Sequence, residues 1–158
     1  MKGKIERLQG DSWSAGVFAP ENTAAQPLPL IVMNLSDPAD LEPLLPELKR
    51  KMGKEMRPAY LAALDGSDWN RDYSPWPAPP LRPGEAPFPG GAPQRLRLLT
   101  EQVLPSLRAH YPISETPEDA GIFGYSLGGL AALYMAYESP EFGLVGCLSG
   151  SLWYEGFM

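Results

Sequence analysis

One cysteine, Cys147, and one histidine, His110, are all that 158 residues contain of those two types. A lone cysteine excludes an intramolecular disulfide and any zinc–cysteine cluster. Its apolar neighbours in Leu144–Leu148 predict a buried, inert thiol. Positive charge is also short, with 13 Lys and Arg against 19 Asp and Glu and a net charge of -6, which argues against a nucleic-acid partner. The densest basic run, Lys49-Arg50-Lys51, fits the solvated end of a helix, where the dipole favours cations. No apolar stretch approaches the length of a membrane-spanning helix, and the N-terminus lacks the apolar core of a signal peptide, so the expected compartment is cytoplasmic. No metal and no cofactor is expected. With 44% hydrophobic and 20% charged residues the chain is globular in composition, and its length suits a single domain with one substantial core.

What is present alternates. Lys4–Leu8 and Gly16–Pro20 predict a hairpin around Gly10-Asp11-Ser12, and Glu21–Pro29 is a polar, proline-containing connector. Leu30–Leu35 is a continuous apolar run, as for a strand covered on both faces. Leu41, Leu44, Leu45 and Leu48 form a stripe that predicts a helix over Leu41–Met52, ending near Gly53. Ala59–Leu64 is a second buried strand. Composition then shifts sharply. Residues 65–91 are crowded with Pro75, Pro77, Pro79, Pro80, Pro83, Pro87 and Pro89, interleaved with Trp69, Tyr73, Trp76 and Phe88. That excursion is either a stiffened surface loop or the wall of a pocket, since it starts where a parallel strand ends. Leu96, Leu99, Val103, Leu104 and Leu107 predict a further helix, bent at Pro105. Leu144–Leu148 is a last strand. The order strand, helix, strand, loop, helix, strand, helix, strand predicts an α/β fold, a mostly parallel sheet with helices on both faces.

The chain is organised around Gly121–Tyr137. There Gly124-Tyr125-Ser126-Leu127-Gly128 matches the G-x-S-x-G pattern of a strand-to-helix turn that pushes a serine oxygen out of the backbone. A turn that tight tolerates only small residues two positions either side of the serine, and Gly124 and Gly128 meet that demand. A short apolar strand precedes it. Leu130–Tyr137, apolar nearly all round, follows as a core helix stopped by Ser139-Pro140.

Four segments resemble the esterase branch of the α/β hydrolases that includes enterochelin (siderophore) esterases, S-formylglutathione hydrolases, feruloyl and acetyl-xylan esterases and mycolyl transferases. They are GYSLGGLAALY, the post-elbow GLVGCLSGSLWY with its S-x-S-L-W pattern, the helix LRLLTEQVLPSLRAHYP, and Arg71-Asp72-Tyr73-Ser74-Pro75. The last is similar to the R-x-Y-x-P loop of the siderophore-esterase subgroup. The resemblance implies an α/β-hydrolase domain with N-terminal hairpin strands and Ser126 as the nucleophile that forms an acyl-enzyme with a carboxylic ester. The Leu127 and Leu35 N–H groups would be the oxyanion donors. Arg71, Tyr73 and Trp153 would contact a small-molecule ester. Arg71 could equally pair with a nearby aspartate.

In this family the acid and then the histidine follow the S-L-W segment, and Met158 comes before either. The implied protein is therefore a C-terminally truncated single domain, 1–158, lacking the last strands and helices. His110 is expected at the wrong end of the elbow strand, about 17–20 Å from Ser126, and Glu155 would have no histidine to orient. Two further readings stay open: an incomplete homologue that binds a ligand or partner without turnover, and a fragment of a longer esterase. Without further strands Leu144–Leu148 would become a sheet edge, which invites homo-oligomer formation.

Overall fold

The computed structural model describes residues 1–21, 26–65 and 68–157, so part of the Glu21–Pro29 connector and Gly66-Ser67 of the excursion lie outside the described residues. Six strands form one sheet: β1 (Gly3–Gln9), β2 (Ser14–Pro20), β3 (Leu30–Asn34), β4 (Tyr60–Leu64), β5 (Ala120–Tyr125) and β6 (Leu144–Leu148), in the order β1-β2-β4-β3-β5-β6. The hairpin β1–β2 joins antiparallel to β4, and from β4 to β6 every pairing is parallel. The strand order reverses around β3, and the chain leaves β3 and β5 at the same edge of the sheet. Open α/β sheets bind ligands in such a crevice.

Side-chain alternation divides the core in two. Leu30, Val32, Tyr60, Ala62, Leu64 and Ile122 point to one face, under the helices α3 (Ala92–Leu98), α4 (Leu104–His110) and α5 (Leu127–Glu138). Phe18, Met33, Leu61 and Ala63 point to the other, where Leu41, Leu45 and Met52 cover them. Burial on both faces is why β3 and β4 are continuous apolar runs.

Three expectations are corrected. The leucine stripe at Leu41–Met52 is a 3-10 stretch, Pro38–Leu44, running into α1 (Leu45–Lys51). Pro43 and Pro46 lack the N–H groups that a continuous α-helix would need there. Asp37 starts the segment by accepting from the Ala39 N–H, and Gly53, at φ 78°, follows its end. The bend expected at Pro105 takes the form of a π turn over Leu99–Val103, with the Leu104 N–H reaching the Leu99 carbonyl. The wider turn accommodates the donor that proline removes. Cys147 is half-buried, because β6 pairs on one side only.

At β6 the sheet ends, and Leu144, Val145 and Leu148 are exposed there. Among the described residues no helix is long and apolar enough to cross a membrane.

Candidate active site

β5 ends at Tyr125 and α5 begins at Leu127, leaving Ser126 alone to turn the chain at φ 54°, ψ -121°. A non-glycine residue held there stores roughly 1–3 kcal/mol of strain, which must be over-determined by its surroundings. The surroundings supply this. The Ser126 N–H donates to the Leu148 carbonyl at 2.9 Å, and the Ser126 carbonyl accepts from Gly129, Leu130 and Ser151 N–H groups at 3.0, 3.1 and 3.0 Å. A Cβ at Gly124 would overlap the Gly128 carbonyl, and one at Gly128 would lie 2.9 Å from the Asn34 carbonyl oxygen. The small residues required by the motif are thus required by close backbone approach.

Asn34, 2% exposed at the end of β3, donates from Nδ2 to the Gly128 carbonyl at 3.1 Å. This contact brings the Leu35 loop against the first turn of α5, where the leading N–H groups have no intrahelical acceptor. Leu35 is held from behind as well. The Tyr73 hydroxyl donates to its carbonyl at 2.8 Å and accepts from Arg95 Nη2 at 3.3 Å. Tyr73 is fully buried, with Trp69 edge-on at 5.0 Å, so its side chain faces the Leu35 loop and not a ligand. The expected substrate contact is corrected to this extent: Tyr73 has no exposed surface and bonds the Leu35 loop.

Arg71 and Tyr73 bracket a helical turn, α2 (Trp69–Asp72), capped by Asp68, which accepts from the Arg71 N–H at 3.1 Å. The Arg71 side chain remains half exposed while Nε and Nη2 grip Asp72 at 2.7 and 3.1 Å, and this pairing raises its pKa. Of the two roles open to Arg71, pairing with an aspartate is therefore realised. Trp153 is exposed and lines a groove of about 200 Å³ with Pro79, Leu81, Phe88 and Tyr154. His110 is exposed, its Nδ1 at 2.9 Å from the Ser106 carbonyl oxygen at the end of α4, and it belongs to the opposite end of β5 from Ser126. Glu155 is exposed, and its backbone carbonyl accepts from Trp76 Nε1 at 2.6 Å. Among the described residues no three His, Cys, Asp or Glu side chains gather as a metal site requires.

Sequence reasoning missed Ser151. It is 2% exposed, its Oγ lies 3.2 Å from Ser126 Oγ, and Ser149 before it sits at φ 44°. The S-x-S pattern after β6 was the available clue.

A parallel sheet crossed at β3, a strained serine between β5 and α5 and a glycine-packed first helical turn define the α/β-hydrolase class. Solved structures agree on the fold. An IroE-like serine hydrolase from Shewanella oneidensis superposes with a TM-score of 0.78 at 19% identity, covering 96% of this chain and 52% of that one. The BES protein from Bacillus cereus gives 0.79 at 20%, covering 98% and 65%. The siderophore hydrolase EstA from Aspergillus nidulans gives 0.75 at 18%, covering 98% and 59%. The chain matches the family described as "Putative esterase" over residues 10–156, and it belongs to that family. It is also 35% identical over 85 residues to the uncharacterized protein YbbA of Bacillus subtilis, across 53% of this chain and 34% of that protein. The chain thus spans about a third of that curated relative's length, and about half of the Shewanella hydrolase's.

Proposed function

We propose that this chain carries the acyl-transfer half of a serine esterase site. Ser126 Oγ attacks the ester carbonyl carbon, the Leu127 and Leu35 N–H groups receive the oxyanion, and the alcohol leaves with the serine proton as the acyl-enzyme forms. Water then releases the acid. The observation that carries this is the strained Ser126 backbone at the β5–α5 junction, a cost that a purely structural turn would shed with a glycine.

Such a site would need a base and an acid from elsewhere, such as a second polypeptide. The fold's chain order puts both after the nucleophile, and no histidine of this chain follows Ser126. The resemblance of Arg71–Pro75 to the siderophore-esterase loop, and the similarity in fold to siderophore hydrolases, support a large polar ester as substrate. Arg71 and Trp153 would contact it, with Tyr73 supporting the oxyanion loop. The apolar edge of β6 would take up further strands, or a second copy of the chain in a homo-oligomer. Light scattering at micromolar concentration tests the homo-oligomer, and a monomer there counts against it.

A second reading has an observation of its own: the side-chain partner of Ser126 Oγ is the neutral Ser151 hydroxyl. In that reading the chain binds an ester-like ligand without turnover. Hydrolysis of a chromogenic short-chain ester by wild type beside Ser126→Ala decides. Activity lost in the variant supports the esterase; equal rates in both end it. Covalent capture of a fluorophosphonate at Ser126 supports the acyl-transfer half even without turnover, and reversible binding without capture favours the second reading.

A further inference from the structure

We propose that Ser151 is a positioning residue for the nucleophile: its hydroxyl donates to Ser126 Oγ, holds that oxygen in place for attack and leaves the Ser126 proton free for a base. That role rests on the acyl-transfer reading of Ser126. The chain brings Ser151 to the elbow across 25 residues. After β6 it turns at Ser149, φ 44°, and Gly150 presses against the strand, where a Cβ would overlap Cys147 Sγ. The Ser151 N–H then donates to the Ser126 carbonyl at 3.0 Å, and the Ser151 carbonyl accepts from the Tyr154 N–H at 3.0 Å. Tyr154 is itself buried, with the Phe88 ring edge-on at 5.3 Å and its hydroxyl bonded to the Trp76 carbonyl. Backbone bonds therefore fix Ser151 on both sides, whatever its side chain does.

The direction of the bond between the two hydroxyls follows from burial. Ser151 is 2% exposed, and among the described residues its hydroxyl has one hydrogen-bond partner, Ser126 Oγ at 3.2 Å. A buried hydroxyl hydrogen left without an acceptor costs more than a made bond gains. Ser126 is only half-buried, so its own hydrogen can reach solvent or a base. The arrangement that satisfies both groups has Ser151 donating and Ser126 accepting. Donation selects one of the staggered positions open to the Ser126 side chain. It also sets a donor on the oxygen that gains negative charge as its proton leaves, and hydrogen bonds to charged acceptors are the stronger ones. A purely structural turn would need the Ser151 backbone alone, since its N–H and carbonyl carry the tethers.

Capture of a fluorophosphonate by the whole chain in imidazole buffer, which supplies a base, tests this role. The Ser126 oxygen bonds to phosphorus, fluoride leaves, and imidazole takes the serine proton. In Ser151→Ala the limiting capture rate is expected to fall about tenfold, the loss of roughly one hydrogen bond to an oxygen gaining charge. The half-saturating probe concentration should not change. The backbone bonds persist in that variant, so its denaturation midpoint should stay close to wild type. Ser151→Cys, which fills nearly the same space with a weaker donor, should capture at a rate between the two. Capture at Ser126 that is as fast or faster in Ser151→Ala overturns the role of Ser151 and leaves the esterase reading standing. A slower rate that comes with a raised half-saturation and a lowered midpoint makes Ser151 a structural residue and overturns the role as well. No capture in wild type, or equal capture in Ser126→Ala, ends the esterase reading and takes the role of Ser151 with it.

Discussion

The elbow and the proline-rich excursion pack together where Trp69 lies beside Gly128, and they are built in opposite ways. At Ser126 nearly every restraint is backbone to backbone, and the chain comes so close to itself that Gly124 and Gly128 have no room for a side chain. Among its described residues the excursion has almost no regular ladder, only an antiparallel bridge between Ala78 and Phe88. Side chains hold it. Ser74 Oγ accepts from the Gly90 N–H at 2.7 Å and donates to the Arg71 carbonyl at 3.1 Å. Trp76 Nε1 donates to the Glu155 carbonyl at 2.6 Å, and the Tyr154 hydroxyl donates to the Trp76 carbonyl at 2.7 Å. Burial lifts the Tyr154 phenol above its ordinary pKa. The difference teaches that one region sets where an oxygen sits and the other sets what surrounds it, so the two should fail separately.

Breaking the elbow should cost most. Gly124→Ala forces a methyl into the Gly128 carbonyl and is expected to destabilise the chain by about 3 kcal/mol, read as a lowered denaturation midpoint. A midpoint within error of wild type would show that the close approach is not obligatory. Tyr73→Phe removes the hydroxyl under Leu35 and leaves a partly buried carbonyl without that donor, at a cost of about 1 kcal/mol. If Leu35 is an oxyanion donor, the same variant should slow fluorophosphonate capture by Ser126 more than it lowers stability, a split that plain destabilisation would not produce. Trp76→Phe keeps the edge-on ring contact with Tyr154 at 5.9 Å but loses the bond to Glu155, for about 1 kcal/mol. Its capture rate should change less than in Tyr73→Phe, because the Leu35 loop is untouched.

The smallest effect serves as a reference outside both regions. Tyr111 donates to Glu6 Oε2 at 2.9 Å, and burial first, then that bond, push its pKa from 10.0 to about 12. A raised folded value means the fold favours the protonated phenol. The associated stability is complete below pH 10 and is lost as pH rises from 10 to 12. Tyr111→Phe should flatten that alkaline decline in thermal melts without touching the elbow.

Much of this was legible before any coordinates. Strands β3, β4 and β5 fell within a residue or so of their apolar runs, because strands buried on both faces must be continuously apolar, and β6 matched Leu144–Leu148 although that strand is exposed at the edge. The elbow was legible because its requirement is steric and local. Less visible were the 3-10 start at Pro38–Leu44 and the π turn before Pro105, where a missing N–H reshaped a helix whose leucine stripe looked regular. The buried role of Tyr73 was invisible, and the pairing of Ser151 with Ser126 was hinted at only by the S-x-S pattern, since each depends on a contact spanning 38 or 25 residues.

By itself, then, the sequence determined the sheet's covered strands, the turn at Ser126 and the membership of the chain in its family. These follow from side-chain volume and polarity acting over a few neighbours. Tertiary structure alone decided that Tyr73 supports the Leu35 loop from behind, that Arg71 is tied to Asp72, and that Cys147 is half-exposed. Those outcomes depend on which distant groups fold into reach of one another, and a hydrogen bond or ion pair forms only within about 3–4 Å.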